Sequence, residues 1–146
     1  MPSTYYSLHT HVIFSTKNRH PYLTDELLPR THDYIGGILR TLDAKPTIIG
    51  GTADHVHLLF GLKTTQCPAN IVREVKKASN EWLKQWHPHF HWQEGYGAFS
   101  VSPERLNGVQ RYIANQEEHH RHKTFKEEWM ELMKLAGIEF DEAVFD

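Results

Sequence analysis

The sequence predicts an α+β fold: a ferredoxin-like (split βαβ) antiparallel sheet with helices on one face, plus two appended C-terminal helices. Three observations predict it. Short stretches alternate apolar and polar residues with period two, longer stretches repeat apolar residues at helical spacing, and their order along the chain is βαββαβ. A length of 146 residues suits a single domain, residues 1–146, with enough chain to bury a hydrophobic core.

Residues 5–15 open the pattern, with Tyr6, Leu8, Val12 and Phe14 on one face of a half-buried strand. Lys17-Asn18-Arg19 breaks the alternation as a polar turn. Thr24, Asp25 and Glu26 then signal a helix start, because acidic groups favour the positive end of the helix dipole. Leu28, Ile35, Ile38, Leu39 and Leu42 follow at helical spacing, with Pro29 and Gly36-Gly37 inside the run. Residues 46–62 read as two strands joined by a turn at Gly51–Asp54. Pro68 opens an amphipathic helix to about Trp86, lined by Ile71, Val75, Ala78 and Trp82. Tyr96–Val101 is the fourth strand, and Ser102-Pro103 starts a helix expected to run unbroken over residues 103–117. A last helix from about Phe125 to Leu135 stops at Gly137, and an acidic tail follows it.

Composition bounds the function. Hydrophobic residues at 39% and charged residues at 23% are too apolar a mixture for a disordered chain. The single cysteine, Cys67, excludes a disulfide framework and a cysteine-based zinc site. With no basic, apolar leader and no run near the ~20 apolar residues that span a bilayer, a cytoplasmic protein without a membrane partner is expected. The net charge of −2 conceals a front (residues 1–92) at +3 and a rear (93–146) at −5. Nucleic acid therefore stays among the candidate ligands, since a local basic stripe matters more than the sum.

Histidine is abundant, with 12 residues, and three His-x-His triplets occur at His9/His11, His55/His57 and His87/His89. On a strand, residues i and i+2 point the same way, so two imidazoles can share one cation from a rigid floor. The third triplet lies in a proline-broken linker, and the first lacks an evident third ligand. His55 and His57 sit between Asp54 and the apolar Leu58-Leu59-Phe60. That placement fits either core histidines satisfying backbone groups or a metal floor. Tyr112 and Gln116 lie one helical turn apart, with Cβ atoms about 6 Å from each other. They fit either a packed tyrosine with a solvated glutamine or a nucleophile with an oxygen ligand.

Taken together, Asp54-His55-Val56-His57-Leu58-Leu59-Phe60 followed by Tyr112-Ile113-Ala114-Asn115-Gln116 resembles the HUH single-tyrosine transposases of the smallest bacterial insertion sequences. The resemblance extends to His11–Arg19, Ile71–Ser79 and Gly95–Ser100, which covers nearly the whole chain. It implies that His55, His57 and Gln116 hold one divalent cation, Mg²⁺ or Mn²⁺, and that Tyr112 is the nucleophile. It also implies single-stranded DNA with a hairpin as the partner, a 5′-phosphotyrosine intermediate, and a homodimer with composite active sites. Such an enzyme would work in the bacterial cytoplasm, associated with the nucleoid.

A positive surface is needed for DNA. Arg73, Lys76, Lys77 and Lys84 form a stripe on the helix after Pro68, and Lys17 and Arg19 occupy the turn after the first strand. The apolar strip Trp129, Leu132, Met133 and Ala136 on the last helix suits docking on its own body or on a twin subunit. Three alternatives are a non-catalytic nucleic-acid-binding module of the same fold, a relative acting on repeated palindromic DNA, and a histidine-based structural metal protein.

Overall fold

The computed structural model describes residues 3–141, so the end of the expected acidic tail, residues 142–146, lies outside the described residues. Strands β1 (His9–Ser15), β2 (Lys45–Thr52), β3 (His55–Gly61) and β4 (Gly97–Val101) form an antiparallel sheet in the order β2-β3-β1-β4. The register pairs Ile13 with His57 and Ser15 with His55, and on the other side it pairs Ile13 with Gly97. Because side chains alternate across a strand, this register sorts the sheet into two chemically different faces.

One face is apolar. Val12, Phe14, Val56, Leu58 and Phe60 project from it against helices α1 (Leu27–Thr41) and α2 (Pro68–Leu83), which contribute Ile35, Leu39, Ile71, Val75 and Leu83. The opposite face carries His11, Ile13, His55, His57 and Leu59. It is covered by α3 (Leu106–Ala114), the single turn α4 (Gln116–His119) and α5 (Phe125–Ala136). The appended helical segments thus close the face that a bare split βαβ unit would leave open; where two helices were expected after β4, three are present.

Three expectations change. The first strand starts at His9, and Tyr5 and Tyr6 are 94% and 52% exposed, because β3 and β4 end their pairing at Gly61 and Val101, both opposite His9. The first long helix starts at Leu27, with Thr24–Glu26 preceding it. The helix expected over 103–117 is broken into a 3₁₀ turn at Pro103–Arg105, α3 and α4. The break falls at Asn115 (φ −101°, ψ 23°), so Tyr112 and Gln116 sit on two helices that meet at a bend.

Close packing fixes α3 on the sheet. A Cβ at Gly50 of β2 would lie 2.5 Å from the Ile113 carbonyl oxygen, so a hydrogen side chain is what lets this helix lie on the strand beside His57. The start of α5 is set by a capping box, in which Thr124 accepts from the Glu127 amide and Glu127 returns to the Thr124 amide. Its end is set by Gly137 in the left-handed region at φ 70°. Between them Phe125, Trp129 and Met133 are buried against Ile13, each side chain worth about 1.5–3 kcal/mol on the hydrophobic scale. The apolar strip of the last helix therefore docks on its own sheet, although Ala136 at its end is exposed. Among the described residues, no helix is long and apolar enough to cross a membrane.

Candidate active site

His55 and His57 are fully buried, adjacent inward positions of β3 on the face away from α1 and α2. Their outer nitrogens are engaged. His55 Nδ1 lies 2.8 Å from Asp54 Oδ1 and 3.1 Å from the Thr52 hydroxyl, and His57 Nδ1 lies 2.8 Å from His11 Nε2. Holding Nδ1 in this way orients each ring and turns its Nε2 toward a common space, as a hydrogen bond to the far nitrogen does for metal-binding histidines.

Three other side chains reach that space. Gln116, buried at the start of α4, places Oε1 2.9 Å from His55 Nε2 while its amide nitrogen donates to Glu128 Oε2 at 3.0 Å. Glu128, 1% exposed on α5, places Oε1 3.1 Å from His57 Nε2 and 3.4 Å from His55 Nε2. Tyr112 stands edge-on to the His57 ring with centroids 5.7 Å apart, and its hydroxyl donates to Glu128 Oε2. The break at Asn115 is what lets α3 deliver the phenol while α4 delivers the amide.

Electrostatics follow from burial. Burial and the Glu128 carboxylate both push the Tyr112 phenol above its ordinary value, so it rests protonated. Burial alone would raise the Glu128 carboxyl, but hydrogen bonds from His120 and His57 outweigh it and hold the group below the usual carboxylate range. His120 joins the cluster with Nε2 3.1 Å from Glu128 Oε1 and Nδ1 on the Lys123 carbonyl at 2.7 Å.

The residues present fit a divalent cation. With the Nδ1 proton of His55 given to Asp54, both His55 Nε2 and Gln116 Oε1 are acceptors, yet they face each other at 2.9 Å. A cation held by His55 and Gln116 would satisfy both acceptors. Ligand atoms of His55, His57 and Glu128 all lie within 4.8 Å of one another. The donor set mixes imidazole nitrogen with carboxylate and amide oxygen and contains no thiolate, which suits Mn²⁺, Zn²⁺ or Mg²⁺ rather than a soft ion.

The structure brings His55, His57, Tyr112 and Gln116 together and leaves the proposed DNA stripe apart. Arg73, Lys76 and Lys77 ride on α2 and Lys84 caps its C-terminus, across the sheet from the histidines. Lys76 donates to the Gln93 and Gly95 carbonyls at 2.6 and 2.9 Å and fastens the segment before β4. Lys84 pairs with Glu81, Arg73 contacts Glu74 and Asn70, and Lys77 is exposed. Lys17 is exposed in the turn after β1. Arg19, in the same turn, lines a cleft of about 730 Å³ beside the site, together with Asp54, His120, Arg121, Lys123 and Lys126. Trp92, in the segment before β4, is buried with its indole N–H on Ser79.

Sequence reasoning missed Glu128 and His120, and it set His11 aside with the first triplet for want of a third ligand. Glu128 had a signal: it interrupts the stripe Phe125, Trp129 and Met133 with an acid on the inward face of an amphipathic helix. His11 was legible only through register, since its partner is 46 residues away.

A stability prediction arises from the buried imidazoles. Burial, the largest cause for each, lowers His11 to about 3 and His32 and His57 to about 4, from 6.5. Below pH 6.5 the unfolded chain accepts protons that the native state refuses until pH 3–4. The stabilisation is thus complete above the unfolded value and lost as pH falls. Chelator-treated protein should show a melting midpoint, followed by circular dichroism, that drops steadily from pH 7 to 4.5. A flat profile over that range would contradict the burial of neutral imidazoles.

Comparison with known proteins identifies the family of the chain. A family-level sequence model described as "Transposase IS200 like" matches residues 4–116. The ISDra2 transposase TnpA of Deinococcus radiodurans is 26% identical over 119 residues, covering 76% of this chain and 85% of that protein. A crystal structure of a Deinococcus radiodurans protein described as a transposase superposes with a TM-score of 0.65 at 27% identity, covering 80% of this chain and 95% of the other. A REP-associated tyrosine transposase bound to a REP hairpin shares the fold, with a TM-score of 0.63 at 14% identity over 82% of this chain and 74% of that one. With the family match spanning most of its length, the chain belongs to the IS200-like transposases.

Proposed function

We propose that this transposase cleaves and rejoins single-stranded DNA at hairpin-bearing element ends, with Tyr112 as nucleophile and one Mg²⁺ or Mn²⁺ held by His55, His57 and Gln116. The observation that carries the proposal is the convergence of the Tyr112 hydroxyl, the two inward imidazole nitrogens and the Gln116 carbonyl on one buried space. When bound, the cation offsets charge building on the phosphate in the transition state. Tyr112 Oη forms a bond to phosphorus as the bond to the 3′ oxygen breaks. The phenol loses its proton, the leaving oxygen gains one, and the strand ends as a 5′-phosphotyrosine and a free 3′-hydroxyl. Rejoining is the reverse with a new 3′-hydroxyl, so the covalent link spares any nucleotide cofactor. DNA chemistry of this kind belongs with the chromosome, in the cytoplasm.

The test incubates the protein with Mn²⁺ and single-stranded hairpin DNA and looks for a denaturation-resistant adduct. We expect one with Mn²⁺ and none with chelator. An adduct that forms equally in chelator would overturn the cation's role, and its absence under all conditions would favour a non-catalytic DNA-binding module.

For the DNA grip, α2 and the site cleft make different predictions. If the stripe on α2 holds the backbone, Lys77→Ala/Lys84→Ala should weaken all hairpins alike and flatten the salt dependence by about 0.7–0.9 in slope per lost phosphate contact. Lys76→Ala should instead lower the melting temperature, because two backbone carbonyls lose their donor. An unchanged salt slope in the double variant moves the grip to the cleft around Arg19.

A homodimer with composite sites is the remaining part of the proposal. In the structure each chain sets its own Tyr112 beside its own His57, and exchange would need α3 to swing about Ser102-Pro103. Mixing Tyr112→Phe with His57→Ala subunits decides between them. Restored nicking requires exchange, whereas a dead mixture of verified heterodimers means that each chain uses its own tyrosine.

A further inference from the structure

We propose that Glu128 is a shared carboxylate of the active site, with Oε1 completing the ligand set of the cation and Oε2 positioning the Tyr112 hydroxyl. The inference deepens the proposed function and rests on its cation site at His55 and His57. It adds a residue from α5, which lies beyond the stretch, residues 4–116, that matches the family.

The division of labour between the two oxygens is geometric. Oε1 lies 3.1 Å from His57 Nε2 and 3.4 Å from His55 Nε2. Donor–donor edges of that length belong to a coordination polyhedron whose metal–ligand bonds are about 2.1 Å. Oε2 faces the other way and accepts from the Tyr112 hydroxyl and from the Gln116 amide at 3.0 Å. Those two contacts fix the phenol over the site and turn the Gln116 carbonyl toward His55.

Burial makes an incidental role costly. A carboxylate 1% exposed needs cationic or hydrogen-bonding partners. Among the described residues its hydrogen-bond partners all belong to the site, His57, His120, Tyr112 and Gln116, with His55 Nε2 at 3.4 Å and His119 Nε2 at 3.5 Å beside them. The rest of the inward stripe of α5, Phe125, Trp129 and Met133, packs on Ile13, so the helix reads as an apolar mount that carries one carboxylate. Two histidines with a glutamate also form a stronger set for a transition metal than two histidines with an amide, which favours Mn²⁺ or Zn²⁺ over Mg²⁺.

Two variants separate the oxygens' roles. Glu128→Gln keeps size and an acceptor for the phenol but removes the charge, whereas Glu128→Ala removes both. Mn²⁺ affinity is measured without DNA, by calorimetry and by the paramagnetic resonance of free Mn²⁺, alongside wild type, His57→Ala and a Glu131→Gln control on the exposed side of α5. Glu128→Gln should bind Mn²⁺ at least about tenfold more weakly and regain wild-type adduct rate at saturating Mn²⁺. Glu128→Ala should bind equally weakly and remain at least about tenfold slow at saturation. Near-UV circular dichroism checks the fold, and should Glu128→Ala fail to fold, the isosteric Gln variant still decides the metal half.

Wild-type affinity in Glu128→Gln, with binding lost in His57→Ala, overturns the shared carboxylate and leaves the cation site standing. Wild-type affinity in His57→Ala, or no binding in the wild type, overturns the cation site itself. Adduct formation faster than wild type in either Glu128 variant would make the carboxylate an obstacle rather than a working group, and would also overturn the proposal.

Discussion

Tyr112→Phe is expected to retain hairpin DNA binding and to lose the covalent adduct completely. Only one oxygen is removed, and the ring keeps its edge-on contacts with His11 and His57 at centroid distances of 6.3 and 5.7 Å. Binding to DNA should therefore stay near wild type, measured by gel retardation, while the denaturation-resistant band disappears. Two features make the effect absolute rather than graded. In the proposed reaction the phenol oxygen is the atom that bonds to phosphorus, and among the described residues no second tyrosine contacts the histidine pair. Tyr34 stacks on Trp82 at 4.5 Å, and Tyr96 packs on the apolar face of the sheet. An adduct that persists in the phenylalanine variant, or that maps by mass spectrometry to Tyr34 or Tyr96, would refute the assignment. Removing the phenol also deprives Glu128 of a donor, so a small change in melting temperature is expected without loss of fold.

His57→Ala should reduce cleavage by about 100-fold or more while leaving a folded protein, because it deletes one of the proposed ligands of the cation. Its structural effects are predictable from its partners. His11 loses the nitrogen it holds at 2.8 Å, and Glu128 loses one at 3.1 Å. The buried carboxylate keeps His120, also at 3.1 Å, so its charge stays compensated. A His57→Gln variant, which retains a polar group of similar reach, should fold more stably and remain equally inactive. Normal nicking by either variant would remove the metal floor from the proposed function. Raising Mn²⁺ separates weak binding from lost chemistry: partial rescue identifies affinity as the lesion.

The comparison between sequence and structure is uneven in an instructive way. Period-two alternation located the first strand, where Val12 and Phe14 face the apolar core and His11 faces the other way, while β-branched and apolar runs located the next two. It misplaced the start of β1, because alternation at Tyr6 and Leu8 continues past the point where partner strands end. His55, His57, Tyr112 and Gln116 were legible as a motif. The bend between the last two was not, since Ala114-Asn115 carries no proline or glycine to announce it. Glu128 was hidden for another reason. Its role comes from the packing of α5 across the sheet, and helical periodicity reports which residues face inward without saying what they meet.

The two faces of the sheet differ in how firmly they are held. Among the described residues, the face toward α1 and α2 gathers eighteen buried apolar residues into one cluster, whereas the face toward α3 and α5 has two separate clusters of four and three. Polar side chains occupy the ground between those two. Amide hydrogens should report this asymmetry. Deuterium should enter α3, α4 and α5 through partial openings, far sooner than it enters β1 and β3, whose protection approaches that of global unfolding. A cation spanning β3 and α4 would close that gap selectively, slowing exchange around Gln116 while leaving α1 and α2 as they were.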